Sequence, residues 1–525
     1  MTRPVRDYRR FILPAAVAVL VAGVVALFVM WLRADADVAG VTDGGSITPA
    51  AAGRVAISPY VPADRVQVQL DGAPAPVTRD GERILLAVPS LPEGEHSLVI
   101  SGPDAMLPLP GNSTRITFTV DGTPPGLALD PLPITELGSP VDLHGRADGA
   151  SELLVNGAPH PIADDGTFSV AAPPGTADLD IAARDAAGNV TAQQVPIPVR
   201  HPGMRAVHMT AYAWASGALR EPVLQLAREG RIDTVQLDIK DESGIIGYLS
   251  QVPLAQEIGA ASDVYNPREA LDQLHAAGLR VVGRIVAFRD PVLGKHSWQN
   301  RQTERLVQTA SGSPYSGGYG QYSFTNFANP DVRAYNAALA EEGAALGFDE
   351  ILYDYVRRPD GNIAKLRFQG LTGTPEQSIA DFLGETRPLV RKHGALLGAS
   401  VYGISATRPE QIAQDIRLIS QHADYVAPMV YPSHWGRGEY GVANPDSQPY
   451  DITARSLADF VTLTEDSATA VIPWLQAFTL RHAYGPAEVR AQIEAAESNG
   501  INSFILWDPN CKYTQSAALE PKPKS

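Results

Sequence analysis

The sequence of 525 residues predicts a multidomain protein whose C-terminal part is an α/β fold, a (β/α)8 TIM barrel. Three observations predict this barrel. Eight short apolar segments alternate with helical segments after Met204, as successive βα units do. Prolines stand near the first positions of the predicted helices, and glycines follow their last turns. Helix-to-strand links are short and strand-to-helix links are long, which is typical of a barrel that carries its functional loops on one face.

An uncharged segment lies near the start of the chain. Residues 1–10 form a basic tail, and residues 11–32 contain no charged side chain. A segment of this length spans a lipid bilayer, and the basic flank predicts a single-pass anchor in the cell membrane, with the N-terminus cytoplasmic and the folded domains periplasmic or extracellular. A cleaved signal sequence, which would make the protein secreted, is the alternative, because Ala34, Asp35 and Ala36 fit the small-x-small pattern of a signal peptidase site.

Two all-β domains are predicted between this segment and the barrel. Residues 33–53 read as a linker rich in Ala, Gly, Asp and Thr. In residues 54–121 and again in residues 122–200, short β-favouring pieces are separated by turn residues such as Asp-Gly and Asn-Gly. Each pattern predicts a small β-sandwich, and both resemble bacterial Ig-like spacer domains, most clearly in the turn at 185–189. Neither contains a titratable constellation, which favours spacers or weak glycan-binding platforms.

The barrel domain is predicted at 201–510, followed by a C-terminal tail at 511–525. Its eight strands are predicted at 205–209, 234–239, 281–288, 350–356, 397–402, 425–431, 471–476 and 503–507. The helix-start prolines are Pro267, Pro330, Pro375, Pro409 and Pro486. The longest strand-to-helix links are 289–329, 357–374 and 432–451. These links place the functional face at the C-terminal ends of the strands.

Asp354 is the first candidate for catalysis, because it is a carboxylate at the end of the fourth predicted strand. Strand alternation puts Leu352 and Asp354 in one phase and Tyr353 in the other. A carboxylate aimed into the barrel mouth can act as a nucleophile or as an acid/base at a glycosidic bond. The structural alternative is an ion pair with Arg357 or with Arg358.

Asp238, near the end of the second strand, is the provisional catalytic partner. Glycoside hydrolysis normally uses two carboxyl groups whose pKa values are pushed apart. Gln236, Asp238 and Lys240 share one phase of this strand. Lys240 is a candidate substrate-binding residue, and alternatively it neutralises Asp238 in a purely structural pair.

Other polar and aromatic residues at the strand ends are predicted to bind substrate. Arg284 on the third strand is unusual in a barrel interior, and a buried guanidinium is tolerated when it pairs with carboxylates or with a substrate oxygen. Arg284 is therefore expected to orient Asp354 or Asp238. Aromatic and amide side chains suit sugar rings and hydroxyls, although a single aromatic is more often a packing residue. The remaining candidates are Tyr355, Arg357, Tyr402, Tyr431, Trp474, Gln476, Trp507 and Asp508.

Composition and missing motifs exclude several classes of function. The net charge is -16 without a dense basic patch beyond the first ten residues, which argues against nucleic acid as a partner and favours a neutral or cationic substrate. A polyanionic substrate would need a local basic cluster. Cys511 is the single cysteine, so an intrachain disulfide and a Cys/His metal cage are excluded. The sequence also lacks the zinc-hydrolase, serine-hydrolase, nucleotide-binding and dinucleotide-binding motifs. No metal or cofactor is predicted.

Four separated motifs carry a resemblance to a known family: 238–244 (DIKDESG), 283–293 (GRIVAFRDPVL), Asn329-Pro330 with Tyr335-Asn336, and 347–357 (GFDEILYDYVR). Together they resemble the bacterial "putative glycosyl hydrolase domain" family of TIM barrels, over roughly 204–509. The resemblance implies a barrel related to polysaccharide hydrolases. Arg358 stands where the family motif leads us to expect an aromatic residue before the proline.

A more distant likeness is to the chitinase-like family 18 barrels, through Asp349, Asp354 and the Met429-Val430-Tyr431 motif. Leu352 and Val356 stand where acids of that family would lie, so substrate-assisted chitin hydrolysis is not implied. The sequence therefore predicts a glycoside hydrolase that acts on a cell-envelope or extracellular polysaccharide through Asp354 and Asp238. The alternative is a non-catalytic glycan-binding or envelope scaffold protein with a degenerate barrel site.

Overall fold

A computed structural model describes residues 36–102, 113–513 and 519–521. The predicted membrane anchor at 11–32 and the basic tail at 1–10 lie outside the described residues. Within the described ranges, no helix has the length and apolar character needed to cross a membrane. The chain divides into two compact units. The first takes the described residues up to Asp130 together with Leu143–Val170 and Asp180–Val195, and the second takes Pro131–Asp142, Ala171–Leu179 and the chain from Pro196 onward.

The N-terminal region consists mostly of β-strands. Its first nine strands form a four-stranded and a five-stranded sheet, and apolar residues from both sheets, including Ile57, Leu86, Leu98 and Phe118, belong to one buried cluster. The strands are Ala36–Ala39, Gly45–Ile47, Ala56–Pro59, Gln67–Leu70, Ala73–Pro74, Val77–Asp80, Arg83–Leu86, Gly94–Ser101 and Ser113–Val120. Burial alternates along strands such as Ser113–Val120, so one face of the sheet is buried and the other is exposed. Two sheets that pack through their buried faces have this pattern.

Strands also dominate the next part of the chain. They are Ala128–Leu129, Thr135–Glu136, Val141–Arg146, Glu152–Val155, Ala158–His160, Thr167–Ala172, Asp178–Arg184, Val190–Pro196 and Val199–Arg200. Thr167–Ala172 alternates between exposed and buried residues, as the period of a half-buried strand requires. The assignment of either region to an Ig-like class, and the domain boundaries at 121 and 200, stay predictions.

The C-terminal part is a closed barrel of eight parallel strand positions, as the sequence predicts. We number them β1 (Arg205–Met209), β2 (Thr234–Lys240), β3 (Arg280–Val286), β4 (Glu350–Asp354), β5 (Leu396–Tyr402), β6 (Tyr425–Met429), β7 (Ala470–Val471 and Trp474–Gln476) and β8 (Phe504–Trp507). Neighbouring positions pair in chain order, β8 pairs with β1, and β5 pairs with β6, so no edge remains. Pro473 lies in the gap that divides β7, which fits the missing N–H of proline.

Helices surround this barrel, and they are Ala211–Ala215, Gly217–Arg228, Pro253–Glu257, Pro267–Ala276, Pro291–Gln299, Pro330–Leu346, Pro375–Arg391, Ile416–Ile419, Pro449–Thr464 and Pro486–Glu497. Prolines begin four of the five helices at which we predict them. Pro409 is the exception, because it begins only a 3-10 turn, and the helix starts at Ile416 behind the Asp415 cap. The predicted link 289–329 is also more structured than expected, because it contains the helix Pro291–Gln299.

The end of helix Pro330–Leu346 shows why its boundary can be read from the sequence. Asn329 accepts hydrogen bonds from the amides of Asp331 and Val332 at the N-terminus, which is the preferred cap chemistry. Gly347 adopts φ 112° at the C-terminus, a left-handed conformation that favours glycine. The chain then enters β4 within a few residues and delivers Asp354 to the opposite end of the strand.

Alternation along the strands decides which side chains enter the barrel. Val282 and Leu352 belong to an interior apolar cluster with residues of β1, β6, β7 and β8, whereas Tyr353 packs in the larger core beneath the helices. Arg284 and Asp354 lie two residues further along β3 and β4, so strand alternation also directs their side chains into the barrel. Both lie at the C-terminal end of the barrel, where such folds carry their chemistry.

Candidate functional site

A single guanidinium, that of Arg284, connects three carboxylates at the mouth of the barrel. Its Nη1 donates to Asp238 Oδ1 at 3.0 Å, and its Nε and Nη2 both donate to Asp354 Oδ2, at 3.0 and 2.7 Å. Nη2 also donates to Glu242 Oε1. Arg284 is buried, and these carboxylates outweigh the effect of burial and hold its pKa well above the usual value. From the sequence we expect Arg284 to contact Asp354 or Asp238, and in the structure it contacts both and Glu242 as well.

Asp238 is the most deeply buried of the three acids, with only 1% of its surface exposed. Its Oδ1 accepts hydrogen bonds from Arg284, from His208 Nε2 at 3.1 Å and from Gln236 Nε2 at 3.3 Å. Burial alone would raise the pKa of Asp238, but Arg284 and His208 outweigh burial and lower it. The buried Oδ2 has no hydrogen-bond partner among the described residues. Asp238 is therefore an ionised acid inside a fixed network.

His208 on β1 is a member of this network that the sequence analysis missed. Burial disfavours its charged form, yet the adjacent carboxylate of Asp238 more than offsets burial and raises the pKa of His208 to about 9. At neutral pH the imidazole is therefore a cation beside Asp238. Strand alternation could have found it, because His208 lies two residues after Ala206, which belongs to the interior cluster.

Asp354 lies at the end of β4 with 5% of its surface exposed. Its Oδ2 accepts both bonds from Arg284, and its Oδ1 accepts the backbone N–H of Tyr355 at 2.7 Å. The alternative of an ion pair with Arg357 or Arg358 is therefore wrong, because the arginine that pairs with Asp354 is Arg284. Tyr355 has φ 49°, a left-handed conformation that is rare for a bulky residue. Such strain concentrates at functional sites, and here it turns the chain immediately after Asp354.

Glu242 is the most accessible acid of the cluster, since 37% of its side chain is exposed. It lies on the loop after β2, beyond a bulge between Asp238 and Lys240. Burial would raise its pKa, but Arg284 outweighs burial and lowers it. Glu242 lies within the motif at 238–244, but no pattern in the sequence assigned it a role. The motif does not reveal its contact with Arg284, because the bulge that precedes Glu242 is a property of the pairing between two strands.

Three predicted substrate-binding residues are buried, and other residues of the chain hold their polar atoms. Lys240 is fully buried, and its Nζ donates to Asp290 Oδ2 at 2.8 Å and to Asn336 Oδ1 at 2.9 Å. Because the bulge ends the regular alternation of β2, Lys240 leaves the phase of Asp238 and does not pair with it. Trp474 is buried and donates its Nε1–H to Ser400 Oγ at 3.0 Å.

Gln476 is the third of these buried residues. It is completely buried at the end of β7. Its Oε1 accepts the N–H of Ser433 at 3.1 Å, and its Nε2 donates to the carbonyl of Phe478 at 3.0 Å. The amide therefore orders the loop connections at this end of the barrel.

Aromatic side chains at the end of β8 and just after β6 and β7 line another part of the mouth. The rings of Tyr431 and Trp507 lie 5.1 Å apart with an interplanar angle of 33°, and Phe478 meets Trp507 edge-on at 5.0 Å. Burial, and then the charge of Asp354, raise the pKa of Tyr431, which indicates that this phenol faces the acid cluster. Burial also raises the pKa of Asp508, whose Oδ1 accepts the N–H of Asn510 at 2.7 Å.

A second polar cluster, centred on Arg357, adjoins Tyr355. Arg357 is 1% exposed and donates its Nη2 to the hydroxyls of Tyr319 and Tyr402, each at 3.1 Å, while Nη1 contacts Asp360 at 3.2 Å. Its Cζ lies 4.4 Å from the centroid of the Tyr402 ring. Arg357 and Tyr402 therefore hold each other in place at the rim. Within the described residues, no three His, Cys, Asp or Glu side chains are grouped as metal ligands would be.

Comparison with known protein families shows to which family this barrel belongs. The model of the family "Putative glycosyl hydrolase domain" matches residues 206–513, which is more than half of the chain. The chain belongs to this family. The match extends from β1 through β8 and includes Asp238, Arg284 and Asp354. No curated protein matches the chain.

Solved structures also resemble parts of the chain. A hypothetical protein from Ruminiclostridium thermocellum is 29% identical, with 37% of this chain and 96% of that chain covered and a TM-score of 0.33. The PgaB (BpsB) glycoside hydrolase domain from Bordetella bronchiseptica is 16% identical, with 61% and 98% covered and a TM-score of 0.47. A Group II chitinase catalytic domain from Ostrinia furnacalis is 12% identical, with 60% and 94% covered and a TM-score of 0.36. At TM-scores below 0.5, these likenesses add nothing to the assignment to the glycosyl hydrolase domain family, and the predicted chitinase-like relationship stays a prediction.

Proposed function

We propose that the barrel hydrolyses O-glycosidic bonds in a cell-envelope or extracellular polysaccharide. The observation that carries this proposal is the convergence of Asp238, Glu242 and Asp354 on Arg284 at the C-terminal mouth. Glycosidic cleavage normally needs two carboxyl groups on opposite sides of the bond, one anionic and one able to give up a proton. With Arg284 and the His208 imidazolium as its two cations, a mouth that holds three acids has more carboxylates than ion pairs alone require.

Asp354 is the principal carboxylate in this proposal. It lies at the barrel mouth, and Arg284 and the Tyr355 amide fix the direction of both of its oxygens. In this role the carboxylate attacks or stabilises an oxocarbenium-like centre. The strained backbone at Tyr355 fixes the position of Asp354 further.

Glu242 suits the role of proton donor better than Asp238 does. Asp238 is buried, and two cations lower its pKa. Glu242 is accessible, and its pKa is lowered chiefly by its contact with Arg284. If a bound sugar displaces Glu242 from Arg284, the carboxyl group loses this cation and its affinity for a proton rises. Asp238 then serves as the fixed counter-ion that keeps Arg284 beside Asp354.

Binding without cleavage is the second candidate function, and one observation favours it. Both oxygens of Asp354 are already engaged, and little of the side chain is exposed. A substrate would have to compete with Arg284 for this carboxylate. In a glycan-binding scaffold, the same acids and the rim aromatics would hold a sugar without acting on it.

The experiment that separates the two functions is a panel of bacterial polysaccharides incubated with the full chain, with its Asp354→Asn variant and with an Asp466→Asn control. Asp466 is an exposed acid with 89% of its side chain accessible. Hydrolysis predicts new reducing ends with the parent chain and with the control, and none with Asp354→Asn. Binding without release by all three proteins would favour the scaffold.

We further propose that the barrel works outside the cytoplasm on a membrane-anchored chain. This proposal depends on the uncharged residues 11–32 and the basic residues before them. Protease treatment of intact cells should digest the folded domains if they are exposed at the surface. In a double-membraned cell, digestion should require permeabilisation of the outer membrane. A chain that stays protected until the inner membrane is lysed would contradict the predicted orientation.

A further inference from the structure

Arg289 follows β3 and is a cation that the acid cluster does not account for. Its Nη1 donates to the hydroxyl of Tyr355 at 2.9 Å, and its Cζ lies 5.0 Å from the ring centroids of both Tyr355 and Tyr319. The side chain is half-buried, and none of the carboxylates in the described ranges forms an ion pair with it. Two tyrosine rings thus hold a guanidinium in place while its remaining N–H groups stay available.

The neighbouring acids are already engaged by other cations. Asp354 is held by Arg284, and Asp360 by Arg357 and by the Tyr319 hydroxyl at 2.9 Å. A half-buried charge without a counter-ion is costly, and contact with aromatic rings compensates for only part of the lost hydration. An anionic group bound from solution would complete the environment of Arg289.

The position of Arg289 connects this cation to the candidate catalytic acids. The Tyr355 hydroxyl lies within electrostatic range of Asp354, Arg289 and Glu242, and the Tyr355 amide is bonded to Asp354. A polymer that lies across Asp354 therefore passes Arg289 within a short distance of the bond that is cleaved. The overall charge of -16 led us to expect a neutral or cationic substrate, but Arg289 beside Tyr355 is a cation that forms no ion pair with the described carboxylates.

We propose that Arg289 binds an oxyanion of the substrate, so that the barrel selects polymers with a carboxylate or phosphate close to the cleaved linkage. The proposal deepens the proposed function and rests on it for the identity of the polymer as a substrate. The planar fork of a guanidinium matches either oxyanion in a bidentate pair. Arg357 is fully committed to Asp360 and the two tyrosines, so it supports the rings that hold Arg289 and does not itself bind the anion.

Binding to the full-length Asp354→Asn variant tests this proposal without requiring cleavage. The ligands are uronate-containing oligosaccharides, the same oligosaccharides with their carboxyl groups reduced to alcohols, and phosphodiester-linked glycan fragments, each measured by isothermal titration calorimetry. We expect one anionic class to bind about tenfold or more tightly than the neutral, reduced fragments, as a charge-assisted pair would give. The class that shows this preference identifies the oxyanion as carboxylate or phosphate.

Substitutions at Arg289 in the same background complete the test. Arg289→Gln should abolish the preference for the anionic fragments and leave the affinity for the reduced fragments unchanged. Arg289→Lys keeps the charge without the fork and should bind with intermediate affinity. Arg417→Gln, an exposed helix arginine with 54% of its side chain accessible, is the matched control and should keep the full preference. Circular dichroism checks that each variant is folded.

Equal affinity for anionic and reduced fragments would overturn the proposal, as would a preference that survives Arg289→Gln. Both results remain distinct from a failure of the proposed function. If the parent chain releases no sugar from any polymer but the Arg289-dependent preference is present, the oxyanion site is supported and the proposed hydrolysis is contradicted. If the parent chain cleaves neutral polymers and shows no such preference, the proposed hydrolysis is supported and the oxyanion site is contradicted.

Discussion

Arg284 donates two hydrogen bonds to one oxygen of Asp354, from Nε at 3.0 Å and from Nη2 at 2.7 Å. The contact leaves Nη1 for Asp238, so one rigid plane positions acids from β2 and β4. A lysine in this place would be a point charge on a flexible stem and could not reproduce the geometry. The spacing between Asp238 and Asp354 is therefore set by a side chain of the strand between them.

Replacing Arg284 with Met should both inactivate and destabilise the barrel. Removal of one partner from a buried ion pair leaves uncompensated charge and typically costs about 3–5 kcal/mol. Thermal unfolding followed by circular dichroism, together with reducing-end release, measures both effects. Arg417→Met is the matched control and should unfold like the parent chain. A stable, fully active Arg284→Met variant would contradict the role of this residue.

His208 makes stability depend on pH. Its pKa is raised to about 9 from 6.5, so its contribution is complete below about pH 6.5 and is lost as the pH rises through 9. A shift of this size corresponds to about 3 kcal/mol. We expect the parent chain to lose thermal stability between pH 7 and pH 10 more steeply than His208→Gln does. Parallel curves for the two proteins would show that His208 is not a cation at neutral pH.

Glu242→Gln should slow cleavage of the natural polymer about 100-fold or more, because it removes the proposed proton donor. Once the sugar is identified, an aryl glycoside of that sugar with an acidic leaving group should largely restore the rate, since such a group departs without a proton. The basic limb of the pH–rate profile should also disappear. Equal losses of rate on both substrates, with the basic limb retained, would show that another acid is the proton donor.

Packing inside the barrel makes a separate prediction about the fold. A Cβ atom at Gly398 on β5 would collide with the ring of Tyr425 on β6, which is completely buried. Overpacking of this kind typically costs about 1–3 kcal/mol, so Gly398→Ala should lower the midpoint of thermal unfolding. Gly217→Ala has open space around the added carbon and should be neutral or slightly stabilising. An unchanged midpoint for Gly398→Ala would mean that the β5–β6 closure relaxes easily.

Local patterns were enough to predict the eight barrel strands and the interior phase of Asp238, Arg284 and Asp354. The period of a strand is fixed by backbone geometry, and apolar runs between prolines and glycines show where it applies. The same reasoning failed at Lys240, because a bulge in the pairing of β2 with β3 changes the phase after Asp238. A bulge depends on two strands at once and has no signature in either alone.

Tertiary contacts account for the other differences. Trp474 and Gln476 end a strand as predicted, yet buried partners on Ser400 and Ser433 occupy their polar atoms. Arg289 lies in a loop, and its relationship to Tyr319 arises from a contact between residues thirty positions apart in the chain. Strand alternation carries no information about such contacts, so the oxyanion site could not be predicted from the sequence.

The central claim is that the Asp354 carboxylate carries out glycosidic cleavage, and the most direct measurement is the kcat for reducing-end release by Asp354→Asn on the polymer that the parent chain cleaves. Asparagine keeps the shape of the side chain and removes its charge. Our account predicts a loss of about 1,000-fold or more, with a folded variant that still binds the polymer and an Asp466→Asn control at the parental rate. An Asp354→Asn variant that cleaves at the parental rate would contradict the account.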